Sequence, residues 1–311
     1  MRPGFFGHVV VDLALAPWDE ATLYVAAFGQ GVFLSPDGGR SWRGLNEGLA
    51  ETSVRGMAFG PGRILYLATD QGGFRRAPGG PWEPLPGLRG RSVRVLRVGA
   101  RAGLYAGTEA GVFASPDGGR SWEPRSRGLA HPDVRDLAAD PARPGRLYAG
   151  TFGGVFRSVD GGLSWQAASS GLADLRVRAL ALDSRRPGRL LAGTALGGVF
   201  ESPDGGESWR PRNKRLFDTS VMALALDEGG ALYAGTRGGL FRLPAGGELW
   251  EYVRVERTPL SMPAIAAGRR GNIFVTSGGE VFESRDGGKS WAMLTPGAPR
   301  KAATQSTLNV P

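Results

Sequence analysis

Residues 35–42 read Ser-Pro-Asp-Gly-Gly-Arg-Ser-Trp, and the same pattern returns at residues 115–122 (SPDGGRSW), 158–165 (SVDGGLSW), 202–209 (SPDGGESW) and 284–291 (SRDGGKSW). Two worn copies, ending at Trp82 (RAPGGPW) and Trp250 (LPAGGELW), fill the gaps between them. The seven tryptophans 42, 82, 122, 165, 209, 250 and 291 are therefore spaced 40, 40, 43, 44, 41 and 41 residues apart. Residues 8–294 divide into seven units of 41. A four-stranded unit repeating every ~40–45 residues is the sequence signature of a propeller blade.

The segments around the octapeptide supply the four strands. Each unit opens on an alternating stretch such as Val177-Arg178-Ala179-Leu180-Ala181-Leu182-Asp183. A Pro/Gly/Arg loop leads to Leu-Tyr-Ala-Gly-Thr (residues 104–108, 147–151 and 232–236), and a Gly turn to Gly-Val-Phe (residues 111–113 and 154–156). The octapeptide follows, and its Trp opens the last strand. No stretch carries a helical period. Large and small apolar residues alternate in the first strand, as suits the narrowing space beside a central axis. These features predict an all-β, seven-bladed β-propeller of four-stranded antiparallel blades over residues 8–294. Residues 295–311 (TPGAPRKAATQSTLNVP) read as a flexible or docking tail. Residues 1–16 have the outline of a secretory leader, but His8 and Asp12 interrupt the apolar part and the repeat claims residues 9–16 as a strand. They are expected to stay in the fold.

Composition agrees. The 51 Gly and 22 Pro of the 311 residues suit many tight turns, and 41% hydrophobic content is enough for a core. No run approaches the ~18 apolar residues of a membrane helix. Without cysteine there are no disulfides, thiolate metal sites or Cys nucleophiles. The net charge is +9, and only Lys214, Lys289 and Lys301 are not Arg among its basic residues. Such a surface favours acidic partners.

Within the octapeptide, Asp37, Asp117, Asp160, Asp204 and Asp286 are expected to accept backbone N–H groups two residues on, closing an Asx-type turn. Gly-Gly supplies positive φ, Ser adds a hydroxyl bond, and Trp caps the hairpin with a large apolar face. A group used identically in five blades reads as scaffold, not catalyst.

Ser-x-Asp-Gly-Gly-x-Ser-Trp resembles the Asp-box, or bacterial neuraminidase repeat. The extended unit, with Val-Arg-x-Leu-Ala and Leu-Tyr-Ala-Gly-Thr, covers nearly the whole chain and is most similar to the bacterial Asp-box propellers grouped with photosystem II assembly and stability factors. Sortilin-type receptors, sialidases and xyloglucan-cleaving glycosidases share the box. The resemblance implies the fold and leaves both catalyst and binding platform open. Sialidases are six-bladed, with an Arg triad, a Tyr nucleophile paired with Glu, and an early Phe-Arg-Ile-Pro. Here Phe241-Arg242-Leu243-Pro244 comes late and falls at the repeat position of Phe33, Phe113 and Phe156. Tyr24, Tyr66, Tyr105, Tyr148 and Tyr233 all take the Leu-Tyr position. Tyr252, near Glu251 and Glu256, lies outside the repeat and reads as surface.

A two-carboxylate glycosidase would place Asp70 and Glu109, in matching turns of adjacent blades, on either side of a sugar. A retaining pair stands about 5–5.5 Å apart. The competing reading is a salt bridge to Arg94 or Arg135, and short units leave little room for the concave walls of a pocket. His8 and His131 stand apart, and the Gly-rich residues 194–198 (TALGG) lack a phosphate-binding Lys. No metal and no cofactor is expected.

The feature that breaks the repeat is a set of arginines. Arg55, Arg94, Arg135 and Arg178 follow the first Val of the innermost strand in blades two to five, where Val11, Met222 and Pro263 stand in blades one, six and seven. They are expected to ring one arc of the channel mouth, with Phe28, Phe152 and Arg237 in nearby turns. Ion pairing with Asp136 or Glu109 is the alternative. The arc resembles the arginine-rich patch of the photosystem assembly factors. On the opposite face Arg143, Arg146, Arg185, Arg186, Arg189, Arg269 and Arg270 would satisfy phosphates, but no stacking aromatics interleave with them. The sequence reading is a non-catalytic, monomeric, cytoplasmic platform that binds the acidic surface of a protein at its channel mouth, with a propeller glycoside hydrolase as the alternative. Nucleic acid is an unfavoured partner.

Overall fold

The structure, a computed structural model, describes residues 8–99, 103–255, 261–268 and 271–294. The chain folds into seven four-stranded antiparallel sheets, each made of consecutive strands. This is the seven-bladed propeller that the octapeptide spacing predicts. The innermost strands of blades 1 to 7 are Val10–Ala16, Val54–Phe59, Val93–Val98, Val134–Ala139, Val177–Leu182, Val221–Leu226 and Ile265–Ala267. The helical turns among the described residues are the 3-10 turns Pro61–Arg63 and Pro86–Leu88, and no helix there is long and apolar enough to cross a membrane. The tail at residues 295–311 lies outside the described residues.

The Leu-Tyr-Ala-Gly-Thr strand explains how blades approach one another. Its Gly faces the first Val of the next blade. A Cβ at Gly150 would come within 2.8 Å of Val177 Cγ1, and one at Gly193 within 2.4 Å of Val221 Cγ1. Glycine there lets the sheets pack at the distance the ring requires. The core is accordingly built between blades: Tyr148 and Val155 of blade 4 pack with Val177, Leu180 and Phe200 of blade 5. The ring closes the same way. Val10, Leu13 and Phe33 of blade 1 meet Ala264, Phe274 and Val281 of blade 7, and among the described residues no strand crosses between the two sheets.

The octapeptide turn corrects one expectation. The amide two residues past the Asp does not go to the carboxylate. Gly39 N–H donates to Ser35 Oγ at 2.7 Å, and Gly119, Gly162, Gly206 and Gly288 do the same to Ser115, Ser158, Ser202 and Ser284. The Asp carboxylate instead takes the first Ser hydroxyl and both the amide and hydroxyl of the second Ser, four residues on. Two consecutive glycines at positive φ, 71° and 85° for Gly38 and Gly39, swing the chain so that the second amide points back at the buried Ser. These bonds set the carboxylates low. Those from Ser41 hold Asp37 at about 2.

The tryptophans fall into two groups. Trp82, Trp165, Trp209 and Trp250 are buried and donate Nε1–H to a carbonyl of the preceding blade: Leu45, Arg125, Ala168 and Arg212. Trp42, Trp122 and Trp291 are half-buried and donate to the second Gly of their own octapeptide.

Candidate functional site at the channel mouth

Two sets of backbone bonds define the two ends of the ring. The turns after the second strand bond to the segment before the first strand: Asp70 N–H to Ser53, Glu109 N–H to Ser92 and Ala195 N–H to Arg176. The octapeptides bond to the first-to-second loops at the other end, as Gly161 N–H does to Gly145 and Gly205 N–H to Gly188. The channel mouth is the first of these ends.

The arginine position is a β-bulge. Val177 pairs with Thr194 and Ala179 with Gly193, so Arg178 is skipped in the ladder. Arg55, Arg94 and Arg135 are skipped in the same way, as are Val11 and Met222. A bulged residue leaves the pleat and its side chain is re-aimed. Arg55, Arg94, Arg135 and Arg178 stand at this same register in four adjacent innermost strands.

The four arginines meet different fates. Arg55 forms a two-pronged pair with Asp70, Nε to Oδ1 at 2.8 Å and Nη2 to Oδ2 at 2.7 Å, and stands 4.9 Å over the Phe28 ring. Arg94 and Arg135 share one carboxylate, that of Asp133, at 2.7 and 2.6 Å. Arg135 also covers the Phe152 ring at 4.2 Å. Among the described residues Arg178 has no ion-pair partner and neither has Arg237. Burial and the guanidinium groups of Arg237, Arg135 and Arg176 lower the Arg178 pKa, against a smaller opposing effect of Asp174. Asp174 itself is bonded to Arg176 at 2.8 Å. Of the four bulge arginines, Arg178 alone has no ion-pair partner among the described residues.

The expected counter-ions are replaced by others. Asp70 binds Arg55 and Ser92, not Arg94 or Arg135, and the Arg55 hydrogen bond lowers its pKa. Asp136 does not serve Arg135. Its carboxylate takes Arg97 Nη2 at 2.8 Å, its neighbour's amide, and Leu180 N–H of the next blade at 2.9 Å. Asp12 repeats this brace, accepting Leu13 N–H and Met57 N–H of blade 2. Burial raises the pKa of both. Ion pairing across blades falls at positions that the repeat does not mark, which is why spacing misassigned the partners.

Glu109 is exposed in its turn. The cleft between blades 7 and 1, about 270 Å³, is lined by His8, Val10, Pro263 and Thr276, away from both Asp70 and Glu109. Tyr252 is half exposed and packs on Phe241 with ring centroids 5.4 Å apart, while Glu251 pairs with Arg242. Among the described residues no three His, Asp or Glu side chains gather in the manner of a metal site. On the octapeptide face Arg185 and Arg189 are bonded to Asp183, and Arg189 also to Glu201. Arg269, Arg270 and Glu256 lie outside the described residues.

Sequence reasoning missed Asp133, Asp174 and Arg176, which sit in interblade connections, and the exposed Leu175, Leu196 and Phe217 beside them. One signal was available. The turns that hold Asp70 and Glu109 in blades 2 and 3 hold Leu196 in blade 5.

No protein-family model matches the chain, and no curated protein matches it in sequence. Solved structures match its fold. An ancestral GH74 enzyme is similar at TM-score 0.75 and 18% identity over 94% of this chain, which spans 46% of that enzyme. YCF48 bound to D1 peptide is similar at TM-score 0.70 and 18% identity, over 91% of this chain and 93% of that one. The WD40 propeller domain of Doa1 is similar at 0.68 and 16%, over 90% and 94%.

Proposed function

We propose that the protein is a non-catalytic Asp-box propeller that holds an acidic protein partner against its channel mouth. The observation that carries this reading is the pair Arg178 and Arg237, which have no ion-pair partner among the described residues. Like charges held together cost stability, and an anionic ligand relieves that cost. The similarity to YCF48, whose structure holds a bound peptide, supports the same use of the fold. Against a two-carboxylate hydrolase stands Asp70. A general acid works with a raised pKa, and Asp70 is shifted the other way by Arg55.

The test is affinity capture from the native host with the wild-type chain and with Arg178→Gln/Arg237→Gln, read by mass spectrometry. An acidic protein retained by the wild type, released by salt and lost with the variant is the expected result. Glycoside turnover that disappears in both Asp70→Asn and Glu109→Gln would overturn the reading in favour of the hydrolase.

A further inference from the structure

The sector with unpaired arginines also carries large apolar side chains in contact with solvent. Phe152 is 42% exposed, Leu175 44%, Leu196 58% and Phe217 72%. Single exposed apolar residues are ordinary, but these are linked through adjoining backbone. Leu175 lies against Gly154, beside Phe152 and its stacked Arg135. Ala195 N–H donates to Arg176 O, and Leu196 N–H to Asp174. Gly198 N–H reaches Thr219 O, two residues past Phe217, and Gly238 N–H reaches Asp218, beside Phe217 and Arg237. Phe217 is held upright on Phe241, ring centroids 4.6 Å apart and edge to face. In blades 2 and 3 the matching turns carry Asp70 and Glu109 instead.

We propose that blades 4 to 6 dock a polypeptide segment in which carboxylates alternate with large apolar side chains. This rests on the acidic-partner reading and adds what the partner must carry besides charge. Arg178 and Arg237 complement the carboxylates. Phe152, Leu175, Leu196 and Phe217 take the apolar side chains and exclude water from the ion pairs, as the near-neutral surround of an interface hot spot does. A nucleic-acid strand would use the same cations and stack on Phe152 and Phe217, while Leu175 and Leu196 offer its bases no ring; oligothymidylate is therefore the competing occupant in the test.

The full-length chain is titrated by fluorescence anisotropy with three labelled probes: a nine-residue peptide of alternating Glu and Leu, the same peptide with every Leu replaced by Ser, and oligothymidylate. The Glu–Leu peptide is expected to bind about tenfold more tightly than the Glu–Ser peptide, the yield of partly burying one or two apolar side chains. Leu196→Ser, alone and with Phe217→Ser, is expected to shrink that ratio, weakening Glu–Leu binding more than Glu–Ser binding. Leu196 is solvent-exposed, so its variant keeps the fold. Equal affinity for the two peptides, or a ratio untouched by both variants, overturns this inference and leaves the acidic reading standing. Failure of both peptides to bind overturns the acidic reading itself. Tighter binding of oligothymidylate than of either peptide overturns both.

Discussion

The two halves of the channel mouth are built on the same bulge and differ in what surrounds it. In blades 2 to 4, Arg55, Arg94 and Arg135 point at Asp70 and Asp133, and two of the three stack on aromatic rings. In blades 5 and 6, Arg178 and Arg237 have no ion-pair partner among the described residues and repel one another. A repeat can thus keep one backbone device and move a side chain from scaffold to site by changing one neighbouring carboxylate. The first half spends its bulge arginines on internal carboxylates. The second leaves its charge facing outward.

The most damaging change to the second half is to give it what the first half has. Met222 occupies the bulge position of blade 6, next around the ring from Arg178 and in the blade of Arg237, with its Sδ accepting from Ser261, so Met222→Glu adds a carboxylate to this half of the ring. Affinity for an acidic peptide should fall about 10–100-fold, the cost of a like charge facing the ligand, while thermal stability holds or rises. Unchanged affinity in an anisotropy titration would mean that the two halves do not differ in function.

The reverse exchange should have a smaller effect. Asp133→Asn frees Arg94 and Arg135 together. Acidic-peptide affinity is expected to rise about 3–10-fold, because partly exposed pairs are worth roughly 1 kcal/mol. A calorimetric titration showing no gain would place the binding surface away from these blades.

Stability gives a third contrast. Arg55→Gln breaks a two-pronged pair and should cost about 1 kcal/mol, given how exposed both partners are. Arg178→Gln removes a repulsion and should cost nothing. Differential scanning calorimetry on the two variants measures both, and equal losses would show that Arg178 is paired in solution.

How far the sequence reached follows the same division. Seven blades and their four strands were legible because five octapeptides fix their turns through bonds among their own residues and the two worn copies keep Gly-Gly and Trp at the same spacing. The arginine position was legible as a recurring Val-Arg, but the bulge there was not, because a skipped ladder partner leaves no mark on an alternating pattern. The fate of each arginine was not, because Asp133 reaches back to Arg94 across a blade boundary, and the relation of Arg97 to Asp136 also spans blades. The exposed apolar rim was missed because Leu196 and Phe217 have the composition of core residues, and only their place in turns and connections sets them outside.

A weaker effect concerns pH and the octapeptides. Bonds from Ser41 hold Asp37 at about 2. In Asp160 and Asp204 burial pushes upward, yet the bonds from Ser164 and Ser208 prevail and also leave them at about 2. With folded values below the ordinary 3.8, these groups stabilise above that pH, and the contribution is lost as pH falls through about 2. Asp12 and Asp136, raised by burial, act with the opposite sign: their folded forms weaken as pH rises above 3.8. The melting temperature should therefore drop between pH 4 and pH 2, less steeply in Asp37→Asn/Asp204→Asn. Equal slopes would show that the turns do not depend on the ionised carboxylates.

The central claim is that Arg178 and Arg237 hold an acidic partner while Arg55 does not. It is tested most directly by titrating one acidic peptide against the wild type, Arg178→Gln/Arg237→Gln and Arg55→Gln at low and at physiological salt. The account predicts a loss of about tenfold or more for the double variant, a shallower salt dependence for it, and near-wild-type behaviour for Arg55→Gln. Equal losses in the two variants, or the larger loss in Arg55→Gln, would contradict it.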